Sequence, residues 1–189
     1  MPPSRRPKLN LVTYLEERLG RLRDGDTWPD MPFPVARFLP IRGATCFVTI
    51  GLSKKPLHRG RRHIHQELLL ASRSRWSNDI SALLATIAKE AWNGTQAVRP
   101  GQLFGPRGSI VDSSSVVGFC ALKPLSFDAS FPLCTYEERP IEILQLVPIT
   151  LGEGELVRDR GPRALLRLIR EHEPDLLDLA RPPMCEAVQ

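Results

Sequence analysis

The clearest hydrophobic pattern in this chain lies between Asn78 and Trp92. Ile80, Leu83, Leu84, Ile87, Ala88, Ala91 and Trp92 recur at i, i+3, i+4, i+7, i+8, i+11 and i+12. That single apolar stripe predicts an amphipathic helix. Ser77 or Asn78 supplies its N-cap, and Asn93-Gly94 a left-handed stop. The same period runs through Leu11, Tyr14, Leu15, Leu19 and Leu22. Asn10 caps this earlier helix and Gly25 lies beyond its end.

Elsewhere the apolar residues form short, nearly continuous runs, which predict strands buried on two faces. These are Val35–Leu39, Ala44–Leu52, Ile64–Ala71, Ser115–Leu122 and Ile141–Val147. Cys46 to Ile50 is β-branched and aromatic and stops at Gly51, so Ala44–Leu52 and Ile64–Ala71 read as a core hairpin joined by a polar, basic connection. Pro148 stands at the exit of the last strand. Between Asp24 and Pro34 the X-Pro pairs disfavour helix. Thr95–Ser114 reads as a long loop and Ser126–Arg139 as irregular chain. One or two helical turns are expected over Glu153–Arg158, a helix over Arg163–Glu171 with Pro162 in its first turn, and a last turn near Asp175–Ala180. Helix, strands, helix, strands, helices is the resulting order. It fits a mixed α/β (α+β) fold, a largely antiparallel central sheet flanked by helices, because most strand connections are too short for crossovers.

Composition narrows the class. The 189 residues suffice for one domain with a core that needs neither disulfides nor metal. We expect a disordered basic tail over residues 1–8, a single domain over 9–181 and a flexible tail over 182–189. Cys46, Cys120, Cys134 and Cys185 are scattered, with no Cys-x-x-Cys pair, and demand no oxidising compartment. No apolar run is long enough for a membrane helix and no signal peptide is evident; a cytoplasmic location is expected. The net charge of +5 is uneven. Residues 1–75 hold 15 Lys/Arg against 6 Asp/Glu, a net +9, and residues 76–189 hold 11 against 15, a net −4. Such asymmetry raises nucleic-acid or anionic-surface binding as an alternative, but no aromatic residues interleave with the basic ones as stacking platforms.

Candidate chemistry is sparse. His63, His65 and Glu67 would share one face of a strand, and a His-x-His pair with a carboxylate can hold zinc. Arg59, Arg61 and Arg62 beside them repel a cation. Gly51-Leu52-Ser53 lacks the second glycine of a nucleophile elbow, since Lys55 holds that place. Ser53 reads as a turn serine bonding nearby backbone. The glycines at 101, 105 and 108 form no phosphate loop. No catalytic residue, metal site or cofactor follows from these patterns.

The order of the segments resembles the suppressor of fused domain. Phe47-Val48-Thr49-Ile50-Gly51-Leu52-Ser53 with Pro56-Leu57 is similar to that family's strand and turn. Gln66-Glu67-Leu68-Leu69-Leu70 is similar to its following strand, and Trp76 with Ile80–Trp92 to its Trp-led helix. Pro100-Gly101-Gln102 stands at its loop glycine, and Ile141–Thr150 with Gly161 and Leu165-Leu166 resemble its last strand and helix. The likeness covers about Val35 to Ile169. Gly51, Leu52, Ser53, Glu67, Leu68 and Trp76 are its structural signature.

The resemblance implies the fold of the N-terminal domain of suppressor of fused and a non-enzymatic module that binds proteins. The animal protein has a second domain and clamps an extended peptide of Gli transcription factors between the two. Bacterial members are usually the single domain, and some are immunity proteins that neutralise a toxin. Arg/Pro/Ala/Leu-rich composition suits a bacterium. Two positions depart from the animal pattern: Glu90 stands at a peptide-holding tyrosine and Gln102 at an aspartate. A Gli-like peptide is therefore not the expected ligand. The expected partner-binding residues are Glu90, Gln102 and Leu103, on the outer side of the helix and on the long loop.

Overall fold

The computed structural model describes residues 10–41, 43–73, 77–106, 110, 114–125, 127, 130–136 and 139–187. The expected tail over 1–8, Trp76, and parts of the 95–114 and 126–139 segments lie outside them.

Asn10 caps the first helix, α1 (Leu11–Leu19), accepting from the Thr13 N–H at 2.8 Å. This helix is shorter than its apolar period suggests. Gly20 takes a φ of 94° and ends it, and Leu22 starts a strand, β1 (Leu22–Asp26), instead of the next turn. β1 pairs antiparallel with β2 (Val35–Ile41), and β2 with β3 (Ala44–Thr49). The expected strand over 44–52 ends early, because Gly51 turns the chain into a 3-10 turn over Leu52–Lys54. β4 (Leu57–Arg59) then makes a short hairpin with β5 (Arg62–Ser72). β5 returns antiparallel to β3, so the core hairpin is present.

Then come α2 (Ser77–Gly94), β6 (Leu103–Phe104), β7 (Val116–Leu122), β8 (Leu133–Tyr136), β9 (Arg139–Thr150), α3 (Leu151–Arg160) and α4 (Pro162–His172). Among the described residues, the strand order is β1-β2-β3-β5-β9-β7-β6, with β4 on β5 and β8 on β9. Among these strand pairs all are antiparallel except β5 with β9; an isolated parallel bridge also joins His58 to Gln96. The sheet is mixed and largely antiparallel, as expected. β8 replaces part of the segment read as irregular, and the Tyr14 hydroxyl of α1 shares its one proton among the Ser130, Phe131 and Leu133 carbonyls, nearest to Ser130 at 3.0 Å.

Pro148 is not at a strand exit. β9 continues through it to Thr150. The missing donor is tolerated because β5 pairs with β9 only as far as Gln145, leaving β7 as the partner beyond that point.

Apolar residues alternate between the two sheet faces. Leu68, Leu70, Leu144 and Leu146 pack under α2 with Ile80, Leu84 and Ile87. Leu69, Ala71, Ile141 and Ile143 pack with Leu11, Leu15 and Leu19 of α1. Val147 and Ile149, further along that second face, meet Val157 of α3 and Leu165 of α4. A strand covered on both sides needs apolar side chains at every position, which is why β5 and β9 read as continuous runs. α3 shows no apolar stripe because its inward residues are Gly152, Glu153 and Gly154 as well as Val157. Periodicity therefore shows only part of its length.

Candidate protein-binding surface around β5

Two neighbouring side chains in β5 organise the loops on either side of the sheet. Successive strand residues point to opposite faces. Gln66 shares the α2 side with Leu68, and Glu67 shares the α1 side with Leu69. Both are completely buried, and a buried polar group without partners is costly.

Glu67 finds its partners in the chain that leaves β3. Its Oε1 accepts from the Gly51 N–H at 2.9 Å, the Ser53 N–H at 3.2 Å and the Ser53 hydroxyl at 2.7 Å. Its Oε2 accepts from the Thr49 hydroxyl at 2.5 Å. Thr49 Oγ1 in turn accepts from the Leu68 N–H at 2.9 Å. Burial raises the Glu67 carboxyl above the ordinary carboxylate range, against the pull of these donors. Gly51 is needed where it stands: its φ is 117°, and an added Cβ would press on Phe33 at 3.3 Å. Lys55 completes the connection, donating to the Trp92 carbonyl at 2.7 Å at the C-terminal end of α2 and lying over the Trp92 ring.

Gln66 does the equivalent work on the other face. Its Oε1 accepts from the Val98 N–H at 2.9 Å, and its Nε2 donates to the Val98 carbonyl and to Glu142, each at 3.0 Å. Arg59 of β4 donates to the same carbonyl at 2.7 Å and to Glu142 of β9 at 2.5 Å. The segment after α2 is stitched further along its length. Thr95 accepts from His58, and Ala97 donates to the His58 carbonyl. The Gly101 N–H donates to the Ala121 carbonyl at 2.7 Å, and the Ala121 N–H to the Gln102 carbonyl at 2.9 Å. At Gly101 (φ 88°), an added Cβ would meet Pro162 of α4 at 2.7 Å. The described part of the long loop is thus a strap tied to β4, β5 and β7.

Gln96, Arg99, Pro100 and Gln102 face solvent along this strap, around an open depression of about 490 Å³. Gln102 is exposed, and its Oε1 accepts from the Arg99 N–H at 3.0 Å. Glu90 is exposed on α2. Leu103 is no loop residue. It opens β6 and packs half-buried against the cluster that includes Cys120, Val147 and Leu165.

The other sequence candidates take structural positions. Ser53 is nearly buried and gives its hydroxyl proton to the Glu67 side chain, not to nearby backbone. His65 contacts the Ser53 carbonyl through Nδ1 at 2.6 Å, so it is not set as a base toward the Ser53 hydroxyl. His63 stacks edge-on against His58. No group of three or more His, Cys, Asp or Glu residues able to hold a metal ion occurs among the described residues.

Sequence reasoning did not find Gln66 as an anchor, although a polar residue inside an apolar strand is the available signal. It also did not find Arg181. This residue of the final turn is buried with Glu153 of α3: Nη1 lies 2.8 Å from Oε1, and Nη2 2.5 Å from Oε2. Arg181 Nη2 also donates to the Pro148 carbonyl at 2.9 Å. The described part of the stretch expected as a flexible C-terminal tail lies against α3, with the Met184 N–H on Glu153 Oε1 at 3.0 Å.

The suppressor of fused homologue from Neisseria gonorrhoeae FA 1090 superposes with a TM-score of 0.73 at 18% identity, covering 94% of this chain and 94% of that one. A chain of the Sufu–Fu complex crystal structure gives 0.70 at 11% identity, covering 92% and 90%. Drosophila Suppressor of Fused gives 0.57 at 14% identity, covering 87% of this chain but 42% of the fly chain. The sequence has no match among curated proteins. The model of the Suppressor of fused protein (SUFU) family matches residues 30–182, a span holding the Glu67 connection, the Gln66 strap and the Glu153–Arg181 pair, and the chain belongs to the suppressor of fused family.

Proposed function

We propose that this chain is a non-enzymatic protein-interaction module that sequesters a protein partner, in an immunity-type role against a toxin or in a regulatory one. The observation that carries this reading is how the buried polar groups are used. Gln66 and Glu67 hold main chain, Glu142 pairs with Arg59, and Glu153 pairs with Arg181. Gln66 and Glu67 tie loops to the sheet through hydrogen bonds, and loops held in place before binding lower the ordering cost of recognition. The Sufu–Fu complex supports protein binding as the activity of this fold, while its low identity gives no reason to transfer Fu as the partner. Glu90 and Gln102, at the positions that depart from the animal pattern, give no reason to transfer a Gli-like peptide.

Several basic side chains of the first half are engaged within the chain, which favours this reading over nucleic acid. Arg37 pairs with Asp24 and Asp26, Arg59 with Glu142, and Arg73 with Asp175, while Lys55 is taken up by Trp92. Cysteines 46, 120, 134 and 185 are free thiols, in keeping with a cytoplasmic setting. No helix among the described residues is long and apolar enough to cross a membrane.

The test is affinity capture from native lysate with the full chain and with an Arg99→Glu/Gln102→Lys variant, whose changes lie on the exposed strap. A protein retained by the wild type and released in the variant is the expected result. No protein retained above a bare-resin control overturns the module reading.

A further inference from the structure

We propose that the cleft between the start of α1 and the β3–β4 connection receives an extended segment of the partner protein that carries a carboxylate beside a large aliphatic side chain. This rests on the protein-binding reading and names the chemistry it would recognise. The cleft holds about 310 Å³ and lies on the α1 side of the sheet. Its apolar lining is Leu11 and Ile141, which are buried, and Val12 and Ile50, which are half-buried. Two exposed cations, Lys54 and Arg139, border it. Neither makes an ion pair among the described residues. No described carboxylate lines the cleft. Glu67 lies close by in the network behind Ser53, with both oxygens already hydrogen-bonded.

The polar wall is set in orientation. The Ser53 carbonyl can only accept, so the His65 Nδ1 that meets it carries the proton. That leaves Nε2 of His65 as the ring's remaining polar atom. Gly51 and Ser53, which shape the same wall, are held by Glu67, so the cleft is preformed and does not depend on a mobile loop.

Charge and shape together select the occupant. A purely apolar chain would offer nothing to Lys54 and Arg139, which meet no carboxylate among the described residues. A phosphate backbone would meet the cations but leave the apolar lining unfilled. An acidic residue next to Leu or Ile satisfies both, and the volume is at the small end for a ligand pocket, matching one or two side chains and not a whole cofactor.

Binding of acetyl-Leu-Asp-amide to the full-length, ¹⁵N-labelled chain, followed by amide chemical shifts, tests the assignment. Acetyl-Leu-Asn-amide and octanoate are the comparison probes. Shifts are expected to cluster at Val12, Ile50, Ser53, Lys54, His65 and Ile141, with the Asn peptide weaker by about tenfold. A Lys54→Glu/Arg139→Glu variant, changed only at exposed side chains, should lose about tenfold in affinity with an unchanged Tm. Equal binding of the Asp and Asn peptides, shifts centred elsewhere, or no binding overturns the proposal. Octanoate binding more tightly than the Asp peptide also overturns it, in favour of a free lipid-like acid. If the cleft variant still captures the same lysate partner while the peptide fails, only the cleft assignment falls. If the wild type captures nothing, the protein-binding reading falls with it.

Discussion

Gln66 and Glu67 are adjacent on β5, point through opposite faces of the sheet, and each holds the backbone of a different loop. Gln66 brackets Val98 with both ends of its amide, and Glu67 collects the donors of Thr49, Gly51 and Ser53. One strand thereby sets the position of the strap that carries Gln102 and of the connection that borders the α1-side cleft.

Removing the Glu67 carboxylate leaves the Gly51 and Ser53 donors buried without an acceptor and opens a void. Glu67→Ala should cost about 3 kcal/mol or more. Glu67→Gln keeps the shape but turns an NH₂ toward existing donors, and should cost about 1–2 kcal/mol. Urea unfolding of the two variants checks the order. Equal losses would mean that the acceptor, not the void, dominates.

Gln66→Leu keeps volume but releases Val98. The Val98 amide, which Gln66 protects on a strap and not in a regular ladder, should exchange with deuterium faster than in the wild type, along with the Gln102 amide. Amides within β9 should keep their protection. Uniform loss of protection across the sheet would show that Gln66 supports global stability and does not act as a local tether.

Acid should act on Glu153 and Glu67 with opposite signs. Burial works to raise Glu153, but hydrogen bonds and charge from Arg181 with the Met184 and Thr150 N–H groups outweigh it and hold the carboxyl below its usual 4.5. A carboxylate with a depressed folded value stabilises the protein above about pH 4.5, and that stability is lost as pH falls through the folded value. Glu67 has a raised folded value, so it binds its proton more tightly in the native state, and its contribution declines as pH rises above 4.5. In Tm against pH, Glu153→Gln should flatten the acid limb and Glu67→Gln should flatten the decline above it. Arg181→Met should be the more damaging change at neutral pH, by about 3–5 kcal/mol, since it strands the buried Glu153 charge.

Gln102 and Leu103 should separate. Gln102→Lys alters an exposed side chain and should leave stability within about 0.5 kcal/mol of wild type. Leu103→Asp puts a charge against the cluster around Cys120 and Val147 and should lower Tm, by about 2–4 °C for each kcal/mol lost in a chain of this size. Loss of partner binding in Gln102→Lys at constant Tm would place the interface on the strap. Loss only in Leu103→Asp would reflect damage to the fold.

Much of the architecture is legible along the chain because it depends on local pattern. The α2 stripe, the β-branched run of β3 ending at Gly51 and the continuous apolar runs of β5 and β9 each state their own burial. Where the pattern misleads, a tertiary cause is visible. Leu22 continues the α1 period, yet Gly20 breaks the helix and pairing with β2 claims the next residues. Pro148 reads as a boundary, yet a strand with a partner on one side only can carry it.

The candidate surface was less legible. Glu90 and Gln102 are solvent-facing, as a surface reading needs, but Leu103 belongs to a strand. Nothing local to Gln66, Lys55 or Arg181 says which distant backbone or side chain each will meet. By itself the sequence determined the main helices and the core strands, which of their faces are apolar, and, through the order of its short motifs, the family; the short strands β1, β4, β6 and β8 were not among them. Tertiary structure alone decided that β5 lies parallel to β9, that Gln66 and Glu67 serve opposite faces, and that Arg181 is buried on Glu153. Apolar burial is written into periodicity because it needs no particular partner. A buried hydrogen bond or ion pair needs one specific partner at one distance, and only the folded chain brings the two together.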